Sequence, residues 1–599
     1  MVARRPDREV RRDHWLAAGS GVAAVVVGVV LGCVPTAVLL PPPGLIPLPD
    51  LTGVVQVVAA VIVVVGLVPI GWVIGHRRWY FSPTQRFRRE LGAPEGWLDR
   101  HDYDTVAGPD ALRRDGERRE PHTRPDRGVP VTRYGFSPGQ LVSGARGLRG
   151  VRGREVWAPW SSGVCVLGPQ GSGKTQLLIH LALDSPAATL INSTKPELAV
   201  ATEALRAQIG PTAVFNPLGL GGVANTAWWD PVSGCSDEST ADRRAWALVR
   251  GAGGADGIAR ATFWAGKAAE TLRCYLMAAA LGGHDMTAVM HWANNPDDDH
   301  TPLTILDQHP DTPAGWNSQL RAILHTVKET RDGYFATVSS AVAFMDSPTV
   351  RAACRPGRGR GFDVEGWLWA RGTLYMIGSD DDHRLAPLFT AFTEQIFHEA
   401  KQVAARQPGG RLREPLNLLL DEVAHMTPIP LHKWAGDSRG WGITVVAVVQ
   451  ALSQLATTWG KDNADTIWRN LPTRLALPTI NDRDTLEELS YLAGQRPARE
   501  KTEGTNHNPG SGLFGASMPT STSTSSRLTT EPVITGPTIG AMPRWHVLAL
   551  GLARHPAMLR YEPGYRRVAR ETAALEGRQV RTTPDTASGA RRPTAGWRR

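Results

Sequence analysis

The chain has 599 residues, a formal net charge of +9 and a pI of about 9.5, with 42% hydrophobic and 21% charged residues. It is too apolar for a disordered polyelectrolyte and long enough for about three or four domain-sized units. The five cysteines, Cys33, Cys165, Cys235, Cys274 and Cys354, show no C-x-x-C spacing. That excludes a disulfide scaffold and a cysteine-rich zinc site, and it fits a cytosolic location for the bulk of the chain. The basic residues are mostly arginine, which fits contact with nucleic acid or anionic lipid and fits equally a coding bias toward Arg, Ala and Gly.

After a basic N-terminus over residues 1–15, the first expected feature is a transmembrane hairpin. The runs 16–40 and 51–75 carry no charged residue. A helix rises about 1.5 Å per residue, so about 20 apolar residues cross the hydrocarbon core and both runs are long enough. Arg4, Arg5, Arg8, Arg11 and Arg12 precede the first run. Arg77, Arg78, Arg86, Arg88 and Arg89 follow the second, and the proline-rich link between the runs has no basic residue. By the positive-inside rule both termini then lie in the cytoplasm of a two-span cell-membrane protein. A cleaved signal peptide is the alternative for the first run, but that run is too long and a second follows it.

Residues 76–130 are rich in Arg, Asp and Pro and read as a juxtamembrane linker. From residue 131 the pattern becomes globular. GVCVL (163–167) and ATLIN (188–192) read as buried strands with a helical segment between them, the start of a β/α alternation that implies a parallel sheet. The expected fold class is therefore α/β, a RecA-like P-loop domain with its first part over 131–241. Residues 242–355 hold long Ala-rich segments of helical periodicity, read as an all-α insert whose Trp264 and Trp292 serve core or interface. Strand signals return at TLYMIG (373–378), LNLLLDE (416–422), ITVVAVVQ (443–450) and RLALPT (474–479), within a second RecA-like part over 356–565. Residues 501–527 read as a flexible loop and 566–599 as a basic disordered tail.

The chemistry begins at Gly168-Pro169-Gln170-Gly171-Ser172-Gly173-Lys174-Thr175, which matches G-x-x-x-x-G-K-[ST]. Glycines let backbone N–H groups approach phosphates, Lys174 reaches the β- and γ-phosphates of ATP, and the Thr175 hydroxyl is a ligand for Mg²⁺. The helix that follows directs its positive end at the anion. In LNLLLDE, four apolar residues bury a strand and two acids emerge at its end. Asp421 is expected to hold Mg²⁺ through water, and Glu422 to polarise the attacking water. Gln450 ends the next strand, where it either senses the γ-phosphate or orients water, or is a surface residue. Arg439, in GDSRGWG, is either an arginine finger for a neighbouring subunit or a surface arginine.

Taken together these residues resemble the type IV secretion coupling proteins, the TraG/TraD-type conjugation ATPases. The resemblance is carried by the apolar N-terminus, VCVLGPQGSGKT, the helical insert, LLLDEVAHMTPIP, DSRGWGITVVAVVQALSQLATTWGKDNADTIWRNLPTRLAL and PRWHVLALGLARHPAMLRYEPGY. It implies a ring-forming, hexameric motor that drives DNA, often with a bound relaxase, to a secretion channel. By position it assigns Lys174, Thr175, Asp421, Glu422, Gln450 and Arg439 to the ATP site. One departure stands out. The family often has Asp-Pro-Lys-Gly-Glu-Leu after its second strand, whereas this chain has Ser193-Thr194-Lys195-Pro196-Glu197-Leu198. The competing readings are a double-stranded DNA translocase of the FtsK type, a protein-export ATPase and a membrane scaffold with an inactive nucleotide site.

Overall fold

A computed structural model of the chain describes residues 22–27, 29, 52–80, 82–91, 95–119, 129–142, 153–253, 259–357, 361–379, 381–506 and 521–582. It divides into two compact units, residues 1–92 and 93–599.

In the first unit a helix spans Thr52–Tyr80, followed by a short helix Pro83–Glu90. The stretch Gln56–His76 has a mean hydropathy of 2.8 and is the one helix among the described residues long and apolar enough to cross a membrane. Val57, Val61, Val64 and Val68 are all exposed along it. Leu67, Trp72 and Ile74 are exposed on it as well, so its surface is apolar along its length, the composition a membrane-crossing helix requires. Of the expected first span, residues 22–27 and 29 are helical and the rest lies outside the described residues. Among the described residues, one helix of the expected hairpin is thus long and apolar enough to cross a membrane.

The second unit is built on one sheet. Its strands are β1 (Gly135–Leu141), β2 (Glu155–Pro159), β3 (Val164–Leu167), β4 (Thr189–Ser193), β5 (Thr212–Phe215), β6 (Thr373–Ile377), β7 (Leu416–Leu420), β8 (Ile443–Val449) and β9 (Thr473–Ala476), followed later in the chain by β12 (His546–Leu550) and β13 (Ala557–Arg560). Between these lie β10 (Gln495–Asn506) and β11 (Ser521–Pro532), which form a separate antiparallel hairpin. The main sheet runs β2-β1-β13-β12-β9-β3-β8-β7-β4-β6-β5. From β9 to β5 every pairing is parallel, and β12, β13, β1 and β2 add an antiparallel edge. Strands β3, β4, β6, β7 and β8 are buried at every residue. Their continuous apolar runs are what a parallel sheet covered on both faces requires. The chain leaves the sheet after β5 and returns at β6. Between them it forms helices from Glu238–Gly251 through Val364–Trp369, centred on the buried side of Ala259–Gly282 at Leu272, Tyr275 and Leu276. There Trp292 is buried against Tyr275 and Trp264 packs on Tyr334.

Three stretches differ from their expected character. Residues 95–119 are not a loose polar linker. They form a helical turn at Arg100–Ala107 and a helix Pro109–Arg119, and Leu98, Tyr103 and Ala107 join the sheet's hydrophobic core. The apolar residues responsible are few and spaced among charges, so composition hides them. Residues 501–506 and 521–527 belong to the β10–β11 hairpin rather than a loop; residues 507–520 lie outside the described residues. The expected disordered tail begins instead as a helix, Gly564–Thr582. It is tied down by Arg567, whose guanidinium meets Asp184 at 2.7 Å and Glu571 at 2.7 Å. Residues 583–599 lie outside the described residues.

Arg206 ties the C-terminal end of the helix Lys174–Asp184 to the first residues of β4 and β6. It is fully buried and, among the described residues, forms no ion pair with a carboxylate. Its guanidinium donates to Thr373 Oγ1 at 2.9 Å, Thr189 Oγ1 at 2.9 Å, Ala187 O at 2.8 Å and Ala182 O at 3.2 Å, and also to Ser185 O. Burial pushes its pKa down to about 10, yet five acceptors satisfy the charge at neutral pH. Arg206→Ala should therefore destabilise the chain by about 3–5 kcal/mol, from the cavity plus the stranded carbonyls. Chemical denaturation measures this, and a loss below about 1 kcal/mol would refute it.

His398, on the helix Ala386–Ala405, has its pKa lowered to about 4, first by burial and then by Arg243 and Lys401. Its Nε2 lies 3.0 Å from Gln402 Nε2, an amide donor, so the ring accepts and is neutral. A group depressed below its unfolded value of about 6.5 binds more protons in the unfolded chain. Its contribution is complete above about pH 6.5 and fades as pH falls through that value toward the folded pKa. Melting temperatures of wild type and His398→Gln should converge between about pH 6.5 and 5.

Candidate nucleotide-binding site

The parallel register sets the site. Leu167 of β3 pairs with Val449 of β8, and Leu420 of β7 pairs with Ala447 of β8. The three strands therefore end near one level, in the order β3-β8-β7. The residues that leave those ends are the glycine loop after β3, Gln450 after β8, and Asp421 with Glu422 after β7. Ligands in parallel α/β sheets gather at this edge because the chain must turn there into loops and helix N-termini.

The loop is held down at both ends. Gly168 N donates to Val449 O at 3.2 Å, and Lys174 begins the helix Lys174–Asp184. Gly171 has φ +79° and Gly173 φ +102°, left-handed values that glycine adopts without a Cβ penalty. A Cβ on Gly173 would stand 2.6 Å from Tyr561 Oη. Tyr561 and Trp545, packed edge to face, thus form a wall behind the loop, and the phenol donates to Gly173 O at 3.4 Å. Lys174 is buried, with Nζ donating to Gly168 O at 2.8 Å and Pro169 O at 3.2 Å. Ser172 Oγ is buried with no hydrogen-bond partner. A loop of left-handed glycines, an ammonium folded over its own carbonyls and a buried unpartnered hydroxyl together fit a polyphosphate, which accepts from all three kinds of donor. Thr175, half-buried in the helix's first turn, and Asp421, buried two strands away, are the oxygen donors that would hold Mg²⁺.

Glu422 is in the left-handed region at φ 54°, a conformation that costs a non-glycine residue about 1–2 kcal/mol. There Glu422 Oε1 accepts from Gln450 Nε2 at 2.8 Å. The two expected site residues from different strands are therefore in direct contact. Ser193, at the family's acidic position, ends β4 beside β7, and its hydroxyl donates to Asp421 Oδ2 at 3.5 Å. An acid at that place would set two carboxylates side by side, whereas serine supplies a donor.

Arg439 is not brought to this edge. It is exposed in the last turn of the helix Leu431–Trp441, just before β8 begins. At about 3.3 Å per residue, β8 separates it from Gln450 by roughly 20 Å along the strand. Tyr561, Trp545 and Ser193 took no part in the sequence-based site. Ser193 was visible as a departure from a motif; Tyr561 and Trp545 lie in PRWHVLALGLARHPAMLRYEPGY, with nothing local to tie them to a loop almost 400 residues earlier.

Gly173→Ala should weaken nucleotide binding by about 10-fold or more, since it adds a clash to about 1–3 kcal/mol of backbone strain. Tyr561→Phe removes only a long hydrogen bond and should bind within about 2-fold of wild type. Titration with a fluorescent ATP analogue reads both, and wild-type affinity in Gly173→Ala would contradict the loop geometry.

Comparison with known proteins bears on the whole unit. Residues 415–544 match the family model described as the TraM recognition site of TraD and TraG. No curated protein matches the sequence. Among solved structures, the bacterial conjugative coupling protein TrwBdeltaN70 in its unbound monoclinic form is similar at 16% identity and TM-score 0.51, covering 76% of this chain and 92% of that one. Its trigonal form in complex with sulphate is similar at 17% identity and TM-score 0.51, covering 76% and 93%. The plasmid coupling protein TrwB in complex with ADP and Mg²⁺ is similar at 16% identity and TM-score 0.49, covering 67% and 85%. The fold of the second unit is thus similar to that of TrwB, and residues 415–544 match the recognition domain described for TraD and TraG.

Proposed function

We propose that this chain is a membrane-anchored ATPase that couples DNA, or a relaxase–DNA complex, to a type IV secretion channel during conjugative transfer. The observation that carries the proposal is the convergence, on one sheet edge, of the glycine loop with the Glu422–Gln450 pair, in a chain whose residues 415–544 match a TraG/TraD recognition domain. Bound Mg²⁺ would neutralise phosphate charge between Thr175 and Asp421. The loop amides and Lys174 grip the β- and γ-phosphates. Glu422 orients and polarises the attacking water, and Gln450 holds the Glu422 carboxylate at a set position.

The relaxosome and the secretion channel components are the partners that go with this reading. A ring, as the family resemblance implies, is the setting in which Arg439 could act as an arginine finger rather than a surface arginine. In its own protomer Arg439 lies at the far end of the sheet, so a contact with a γ-phosphate would have to be made on a neighbouring copy, as in a hexamer. The finer membrane reading, two spans with both termini cytoplasmic, rests on the uncharged run 16–40 and the flanking arginines.

Lys174→Ala should abolish ATP hydrolysis and conjugal transfer together. Glu422→Gln should still bind ATP while turnover falls by about 10²- to 10⁴-fold. Full-length protein in detergent, assayed with and without DNA, tests this. Wild-type turnover in either variant would overturn the site, and an ATPase rate indifferent to DNA would overturn the cargo.

A further inference from the structure

The Glu422–Gln450 contact does not end at Gln450. The backbone N–H of Gln450 donates to Gln454 Oε1 at 2.7 Å, and Gln454 Nε2 lies 3.2 Å from His425 Nε2. The donor and acceptor roles follow from the chemistry of each group. A backbone N–H can only donate, so the oxygen of the Gln454 amide must face Gln450. Its NH₂ group then faces His425, whose Nε2 must accept, which leaves the ring neutral with its proton on Nδ1.

His425 is carried by the short helix Val423–Met426, which begins directly after Glu422. Gln454 is carried by the helix Leu452–Trp459, which begins one residue beyond Gln450, after Ala451. The chain of contacts therefore closes a loop, from Glu422 through Gln450, Gln454 and His425 back to the segment that bears Glu422. Such a closed loop restrains the left-handed turn at Glu422 from both sides.

We propose that Gln454 and His425 are positioning residues that hold Gln450 in register with the Glu422 carboxylate. The inference rests on the hydrolysis reading above. Neither residue touches the reacting atoms; Gln454 acts on the Gln450 backbone, and His425 fixes which way the Gln454 amide faces. His425 also lines a cavity of about 380 Å³ with Thr457, Thr458, Arg250 and Ser340, the last two from the helices inserted between β5 and β6. The loop of contacts thus ends where the helical layer meets the ATPase core, and anything that displaces His425 displaces Gln450.

The test is steady-state ATPase kinetics on full-length protein, with Lys174→Ala as the baseline and melting temperature measured for each variant. Gln454→Ala should lower kcat by about 10- to 100-fold with KM within about 2-fold, the signature of a misplaced group rather than lost substrate binding. Gln454→Glu keeps an acceptor for the Gln450 N–H and lets His425 donate from Nε2 instead, so it should recover to within about 3-fold of wild type. His425→Ala should fall between the two. If Gln454 were only a helix cap, Gln454→Ala would lower the melting temperature and leave kcat at the wild-type value, and that result would sink the proposal. An equal loss in Gln454→Ala and Gln454→Glu would sink it as well. If wild type itself does not exceed Lys174→Ala, the hydrolysis reading fails and this inference falls with it.

Discussion

Everything in the proposed site depends on the alignment of three parallel strand ends. Parallel pairing of β3, β8 and β7 leaves the glycine loop, Gln450 and the Asp421–Glu422 pair on one edge of one sheet. Parallel strands need long crossovers, and each crossover here brings its own element to bear. The helix Lys174–Asp184 sets its N-terminus at the glycine loop, and the helix Leu431–Trp441 carries Arg439 away to the opposite end. A slip of one residue between β7 and β8 would turn every side chain over and separate Glu422 from Gln450. The fully buried faces of both strands make such a slip costly.

The antiparallel edge works as a support. β12 and β13 bring Trp545 and Tyr561 against the loop from behind, and the helix that follows them locks Arg567 onto Asp184. Asp184 sits at the C-terminal end of the very helix whose N-terminus is Lys174. Burial pushes its carboxyl above the ordinary range, while Arg567 beside it pulls the other way. The last described helix of the chain is thereby anchored to the helix that follows the glycine loop.

The correspondence between pattern and structure is uneven in an informative way. Strands β3, β4, β6, β7, β8 and β9 were legible because each is a short apolar run bounded by polar residues. β1 was not, because Gly135–Leu141 contains Pro138-Gly139, a turn signal. In the fold that pair makes a bulge, where Gly139 adopts φ +147° and passes close to the Arg560 carbonyl. The helix Gly564–Thr582 was hidden by its arginines, one of which, Arg567, finds its partner Asp184 only by tertiary contact.

By itself the sequence determined the elements of the site: a glycine loop ending in Lys174 and Thr175, an apolar strand ending in two acids, a strand ending in Gln450, and an uncharged run able to cross a membrane. These are local properties, set by side-chain chemistry within a few residues. Only the tertiary structure decided which of them meet. It put Glu422 against Gln450, Ser193 against Asp421, Tyr561 behind Gly173, and Arg439 at the far end of the sheet. The reason is physical. Strand order and register follow from burying every apolar face at once, a condition on the whole chain that no single segment contains.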